Sequence, residues 1–475
     1  MAAGTVADLT LGEAANAVSG SLEGSATAVI AGYSIDSRTI QPGDLFFALV
    51  GPNHNGHAFV KDALAAGACG VVVSDAMDAP DDATLLRVAD TTRALQELAM
   101  HVRRREAVQV VGITGSAGKT TTKEMTYKLL AGKFEAYRSE GNYNNLYGLP
   151  LALLRMPAGT QVAVLEMGMS VPGELRRLSA IATPDVSVLT NVGMAHRANF
   201  DSMDAIAAAK EELFQEMGGH GTGVFNVDDE HCRAIAERFG GFRFTFGMQQ
   251  DADLSARRVK VESLSGTSLE ICHGDHRWPL LIRMAGVHQA YNLLAALSVG
   301  YMLGCDLEWM TARAGVLAPL PGRGSTLRLM GNVQLLDDTY NSNPAALRRA
   351  ITTLGSAAAP GSRRVLITGD MLELGDEAAR EHRKAGRLAG ESGIEVVLAV
   401  GALSAETAEG ARESGAGLTL HCNDSEEAGA TALSLVQPGD TVLVKGSRGM
   451  KMERVVQCLE ETLGVDSTQQ QIKKG

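Results

Sequence analysis

Aromatic side chains are scarce: phenylalanine, tryptophan and tyrosine make up 4% of the 475 residues. Proteins that bind single-stranded nucleic acid stack bases on such rings, so this composition argues against that role. Positive charge is also thin. The formal charge is -12, and no basic run is longer than Arg103, Arg104 and Arg105, which leaves no strip suited to a polyanion. Nucleic acid is therefore not an expected partner. The six cysteines (Cys69, Cys232, Cys272, Cys305, Cys422 and Cys458) show no C-x-x-C pair and no repeated spacing, as reduced thiols would. Cys272, His273 and His276 are close neighbours, as are His231 and Cys232. Adjacent residues do not easily face one ion and no second ligand pair follows, so zinc is not expected there. No apolar run approaches the length of a membrane span. Residues 1–20 have neither the basic start nor the apolar core of a secretory signal. The expected location is the cytoplasm.

What is present is a globular composition, 45% hydrophobic and 21% charged, in a chain long enough for about three domains. Residues 1–106 alternate short apolar strands, such as 45–49 and 70–73, with helical stretches such as 90–105, whose basic end suits a helix carboxyl terminus. Residues 107–321 open on the apolar run 108–113, followed by a glycine-rich turn and a helical pattern over 120–130. Further buried strands are expected at 162–165, 186–189 and 224–227, separated by helices as in a doubly wound sheet. An apolar helix over 289–302 precedes the break Pro319-Leu320-Pro321-Gly322. Residues 322–475 repeat the logic with strands at 333–336, 365–368, 396–400 and 441–444, the size of one Rossmann-like domain. The fold class is thus α/β in three domains: a small N-terminal α/β unit, a central doubly wound unit with a phosphate loop, and a C-terminal Rossmann-like unit.

The strongest chemical signal is GITGSAGKTTTKEM at 112–125. Glycines let backbone N–H groups crowd round a triphosphate where side chains would block them. Lys119 would reach the β- and γ-phosphates, the Thr120 hydroxyl would hold magnesium, and the helix start would add positive potential. The common G-x-x-x-x-G-K-[ST] pattern fails at one place, since its first glycine falls on Ile113. Glu166 follows the strand at 162–165 and His196 follows the strand at 186–189. Both lie at carboxyl ends, where an open α/β sheet gathers ligands, and both are candidate metal ligands beside Lys119. Taken alone, Lys210 in AAAKEELF is a helix-surface lysine.

Together these residues resemble the Mur ligases of peptidoglycan synthesis, over nearly the whole chain. The resemblance is carried by YSIDSRTIQPGDLFFAL (33–49), TGSAGKTTTKEM (114–125), EGNYNNLYGLP (140–150), LEMGMS (165–170), TNVGMAH (190–196) and GVHQAYNLLAA (286–296). DDTYNSNP (337–344), GDMLELG (369–375) and VLVKGSRGMKME (442–453) point within the family to the branch that joins D-alanyl-D-alanine to UDP-N-acetylmuramoyl-tripeptide. The family's loop reads T-G-x-x-G-K-[ST], with which Thr114, Gly115, Gly118, Lys119 and Thr120 comply, so the departure at Ile113 is accounted for.

The resemblance implies an ATP-dependent amide ligase working through an acyl phosphate, with ATP and two magnesium ions. By position, Thr114, Gly115, Ser116, Ala117, Gly118, Lys119, Thr120 and Thr121 would cradle the phosphates. His288 and Asn292 would face the nucleotide, Arg323 the γ-phosphate and Asp338 the ribose. Ser37 and Arg38 would sit in the uridine site, and Asn142, Asn144 and Asn145, with Tyr340, Asn341 and Asn343, at the other substrates. Thr120 and Glu166 would hold one magnesium and His196 the second, and the family's carbamylated lysine falls on Lys210. Catalysis would rest on Lys119, Glu166, His196 and Lys210. Asn55-Gly56-His57 departs from the Asp-Gly-His expected in the first domain. Lys445 and Arg448 are candidates for the carboxylate of the incoming dipeptide. A monomer is expected. Sister ligases adding lysine or diaminopimelate would carry Asp-Asn-Pro-Arg, and a GTPase Asn-Lys-x-Asp; neither string occurs. A folate polyglutamate ligase shares the loop but not the DSR-containing first domain.

Overall fold

The computed structural model describes residues 9–51, 54–74, 83–193, 199–359 and 361–466. The described residues form three sheets, each with its own helices. The first has the spatial order Ser21–Glu23, Leu85–Arg87, Gly70–Val73, Asp44–Phe47, Gly32–Ser34, parallel except for its first strand. Helix Thr91–Arg105 is capped by Asp90, which accepts from the Thr92 and Arg93 amides. At its basic end Arg103 donates to the carbonyls of Ala182 and Thr183, closing the end of helix Glu174–Ala182 in the next sheet's layer.

The central sheet is parallel through Ala136–Arg138, Val162–Glu166, Gln109–Thr114, Val186–Leu189, Thr222–Asn226 and Phe242–Gly247. Strand Gln109–Thr114 is buried on both faces from Val110 onward, as a strand covered by helices must be. The chain order reverses around it, so the crevice beyond its carboxyl end is a switch point, and the phosphate-loop sequence enters it. Helix Lys119–Leu130 packs on helix Val287–Met302 through Met125, Leu129, Leu293, Leu294 and Leu297.

Three further strands, Leu254–Ser263, Gly266–His273 and His276–Ile282, continue this sheet as an antiparallel meander that the apolar runs do not announce. Only one face is covered, so the sequence alternates and dilutes its hydrophobic residues with Arg257, Lys260 and Glu270. The Cys272, His273, His276 cluster lies on this hairpin. His273 and His276 face each other across the turn, and His273 is engaged by the Asp253 carbonyl (2.7 Å) and the Tyr301 hydroxyl (3.2 Å). Among the described residues no group of three or more His, Cys, Asp or Glu is disposed to hold a metal ion, and no helix is long and apolar enough to cross a membrane.

The third sheet runs Ser325–Leu329, Val333–Asp338, Thr441–Lys445, Arg364–Gly369, Val396–Val400, Leu418–Cys422, parallel after its first strand. Its two edge strands, Ser325–Leu329 and Leu418–Cys422, are half-exposed and escape the search for apolar runs. The parallel register sets Asp338 beside Lys445 at the carboxyl ends, so Lys445 closes its strand rather than lying on the loop beyond it.

Candidate functional site

The turn between strand Gln109–Thr114 and helix Lys119–Leu130 needs glycine twice. Gly115 has φ 148° and Gly118 φ 83°, and a Cβ would collide with Thr190 Oγ1 at the first and Asn292 Oδ1 at the second. The loop is tied to the next strand's end. The Ser116 amide donates to the Asn191 carbonyl (3.0 Å), the Ala117 amide to Asn191 Oδ1 (3.0 Å), and Thr190 Oγ1 to the Ala117 carbonyl (2.7 Å). Gly118 stands at the cap position without a capping side chain, so the first-turn N–H groups stay available to an anion. Lys119 curls back to donate to the Gly115 carbonyl at 2.9 Å. Desolvation lowers its pKa; Glu166 opposes this and Arg323 adds to it.

Beside the lysine, Thr120 Oγ1 donates to Glu166 Oε2 at 2.6 Å and Asn144 Nδ2 to Glu166 Oε1 at 2.9 Å. The Glu166 amide donates to Ser139 Oγ. Sequence reading missed the residue behind this arrangement, Lys123. It is 1% exposed, donates to the Ser139 carbonyl at 2.6 Å, and is balanced by Glu124, which also pairs with Arg138. Its position one turn after Lys119, on the helix face that meets the sheet, was the available signal. The hydroxyl of Thr120 and the carboxylate of Glu166 are hard oxygen donors already in contact, which suits a small divalent cation such as magnesium.

Lys210 is no surface lysine. It lies on the inner face of helix Met203–Glu216, 3% exposed. Its pKa is lowered to about 7, first by desolvation, then by the charge of Lys119, with Cys232 opposing. His196 lies outside the described residues.

The third sheet's carboxyl ends face the loop across a cleft of about 380 Å³. The cleft gathers Ser116 to Thr121, Asn142, Asn144 and Glu166 from the central sheet, and Arg323, Asp338, Tyr340, Asn341 and Asn343 from the other side, with His288 and Asn292 between them. Lys445 donates to Asp338 Oδ2 at 2.6 Å and to the Asn341 carbonyl at 2.9 Å. The Arg323 guanidinium lies 3.7 Å over the Tyr340 ring, and that of Arg448 5.7 Å from it. Asn343 caps helix Pro344–Ala357 by accepting from the Ala346 amide. Asn145 lies outside the cleft and accepts from the Tyr147 and Gly148 amides at the start of helix Gly148–Leu154. Thr114, the last residue of its strand, and Gly115 do not line the cleft. Ser37 and Arg38 stand apart, on the first domain, where Arg38 forks onto Asp36 through bonds of 2.9 and 2.7 Å. In the same domain Asn55 accepts from the His57 amide at 3.0 Å, a turn that an aspartate would make equally well.

A second cavity of about 430 Å³ adjoins the cleft past Gly118, between Tyr291 and Asn292 on one side and helix Pro344–Ala357 on the other. His288, half-buried where the two meet, has its pKa lowered to about 3 by desolvation, then by Arg349 and Lys445. The folded protein therefore refuses a proton that the unfolded chain accepts below about pH 6.5. Stability attributable to His288 is complete above that pH and is lost as pH falls toward 3. Urea midpoints at pH 7 and pH 5 should differ more for the natural chain than for His288→Gln, and equal differences would refute this.

Three family models match the chain: "Mur ligase family, catalytic domain" over residues 29–103, "Mur ligase middle domain" over 113–300, and "Mur ligase, glutamate ligase domain" over 322–448. The UDP-N-acetylmuramoyl-tripeptide--D-alanyl-D-alanine ligase of Escherichia coli (strain K12) is 34% identical over 461 residues, 95% of this chain and 98% of that protein. That of Bacillus subtilis (strain 168) is 33% identical over 439 residues, 91% and 94% of the two chains. Among solved structures, MurF from Acinetobacter baumannii superposes with a TM-score of 0.87 at 30% identity, covering 96% of this chain and 99% of that one. MurF ligase from Thermotoga maritima in complex with ADP gives 0.80 at 29% identity, covering 91% and 97%. Similarity of this extent, running through all three sheets, means that the chain belongs to the Mur ligase family.

Proposed function

We propose that this chain is an ATP-dependent ligase joining D-alanyl-D-alanine to UDP-N-acetylmuramoyl-tripeptide, giving the pentapeptide, ADP and phosphate in cytoplasmic peptidoglycan precursor synthesis. The observation that carries the reading is the cleft in which Lys119, the Thr120–Glu166 pair, Arg323 and Asp338 face one another. The names of the relatives above support the choice of substrates. The chain would divide as 1–106 for the UDP end of the substrate, 107–321 for ATP and 322–475 for the dipeptide and closure over the nucleotide, and would act as a monomer.

A carboxylate does not acylate an amine at neutral pH because hydroxide is a poor leaving group; phosphorylation by ATP replaces it with phosphate. Bringing a peptide carboxylate to a γ-phosphate sets like charges together, so the site must supply cations at the point of transfer. Lys119 and the first-turn amides would hold the β- and γ-phosphates, and Arg323, stacked on Tyr340, would meet the transferring group from the opposite side. Magnesium held by Thr120 and Glu166, and a second ion by His196 and a carbamylated Lys210, would neutralise phosphate charge. Asn292 and His288 would border the base and Asp338, fixed by Lys445, the ribose. Asn142, Asn144 and Asn145 would order the muramoyl substrate, with Ser37 and Arg38 at its uridine. Tyr340, Asn341, Asn343 and Arg448 would line the approach of the dipeptide. With both faces of the cleft together, water that would hydrolyse an acyl phosphate is excluded.

The test follows phosphate release and product mass with UDP-N-acetylmuramoyl-tripeptide, ATP, magnesium and a panel of amines. Ligation of D-alanyl-D-alanine is expected. Joining D-alanine, L-lysine or glutamate instead would reassign the chain to another amino-acid branch of the family.

A further inference from the structure

Among the described residues five cationic side chains line the cleft: Lys119, Arg323, Arg349, Lys445 and Arg448. Four of them have an occupation. Lys119 donates to the Gly115 carbonyl, Arg323 stacks on Tyr340, Lys445 is paired with Asp338, and Arg448 is paired with Glu453 at 3.3 Å. Arg349 differs. Among the described residues no carboxylate lies within ion-pair reach of its guanidinium, and Asp338, whose charge it feels, is already held by Lys445. Burial pulls its pKa below the ordinary guanidinium value. A desolvated, unpaired guanidinium costs free energy unless an anion completes it.

Its position says where that anion lies. Arg349 belongs to helix Pro344–Ala357, which runs along both cavities: Ala346 and Ala350 face the cleft, Thr352, Thr353 and Ser356 the adjoining pocket, and Arg349 both. Ala117, Gly118, His288 and Asn292 are likewise common to the two. A nucleotide with its terminal phosphates at Lys119 and its base in the pocket must pass Gly118 with its first phosphate and sugar. Asp338, an anion, suits the sugar hydroxyls and would repel the phosphate.

We infer that Arg349 binds the α-phosphate of the nucleotide, supplied by the C-terminal domain at the junction of base and polyphosphate. This rests on the nucleotide reading above. It adds a residue outside the motifs quoted above, which stop at 344 and resume at 369, and it makes the docking of the third sheet on the loop dependent on nucleotide charge.

The experiment uses the full chain with Arg349→Met, which keeps the apolar stem, and Arg349→Lys, which keeps the charge. Melting curves are recorded without ligand, with ADP and magnesium, and with adenosine, and KM for ATP is measured. Without ligand, Arg349→Met should melt no lower than the natural chain, because an unpaired desolvated charge has gone. Its affinity for ADP should fall on the order of tenfold or more, the loss of a charge-assisted contact. Adenosine affinity should be unchanged, KM for ATP should rise more than kcat falls, and Arg349→Lys should recover part of the loss. ADP affinity unchanged in Arg349→Met, or adenosine weakened as much as ADP, would overturn the inference. A natural chain that did not respond to ADP would instead overturn the nucleotide reading itself.

Discussion

Lys119→Met should reduce ligation by ~10²–10³-fold or more, the scale seen when one preorganised charge is removed from a transition state, while leaving the unliganded protein as stable as before or more so. Lys119 is the first residue of its helix, where the macrodipole disfavours a cation, and desolvation already lowers its pKa. Among the described residues its ammonium donates to the Gly115 carbonyl, a bond that a bound phosphate would replace. The fold therefore bears a cost for this side chain that Glu166 offsets in part and a bound phosphate would offset further. Lys119→Arg should not restore the rate, since a planar fork does not fit where a compact ammonium reaches between phosphates. The measurement pairs phosphate release with melting temperature. A variant that lost activity in proportion to lost stability would show a structural lysine.

If Lys210 is carbamylated and holds a metal ion as proposed, Lys210→Ala should lose activity on the order of 10²-fold or more, because the ion would stabilise transferring charge, and should recover part of it with formate or acetate. Two cations face each other here, since Lys119 helps bring the Lys210 pKa to about 7. At that value half the amine is neutral at pH 7, and the neutral fraction grows as pH rises. Carbamylation joins the neutral amine to dissolved carbon dioxide, releases a proton and leaves a carboxylate, which turns repulsion from Lys119 into attraction. Enzyme freed of carbon dioxide should accordingly regain activity on addition of bicarbonate, faster at pH 8 than at pH 6. Carbon-13 bicarbonate would report the carbamate directly. An unchanged rate in Lys210→Ala would leave Lys210 a packing residue.

The phosphate loop and the order of buried strands were legible because each is local. Strand Gln109–Thr114 is apolar from Val110 to Ile113, and Gly115 and Gly118 stand where φ is positive. Helix Thr91–Arg105 announced its start with Asp90 and its end with three arginines. The meander from Leu254 to Ile282 did not, because a sheet open on one face needs only alternate apolar residues and tolerates charge between them. Lys123 and Arg349 were missed for a related reason. Each sits in an ordinary helical pattern, and residue type does not tell which turn of a helix meets a sheet end or a cavity; only the one-turn spacing of Lys123 from Lys119 pointed to it.

Lys210 gives the boundary its plainest form. The sequence alone places it among glutamates on an amphipathic helix, which describes a solvated lysine as well as a buried one. The resemblance named it; packing of helix Met203–Glu216 against the central sheet put it beside Lys119 and took away its water. Sequence by itself determined the three α/β units, the phosphate loop and the family, since these depend on residue type and spacing along the chain. Tertiary structure decided which cations are paired and which wait for an anion. That depends on which carboxylates come within a few ångströms across three sheets, and on how much water remains between them.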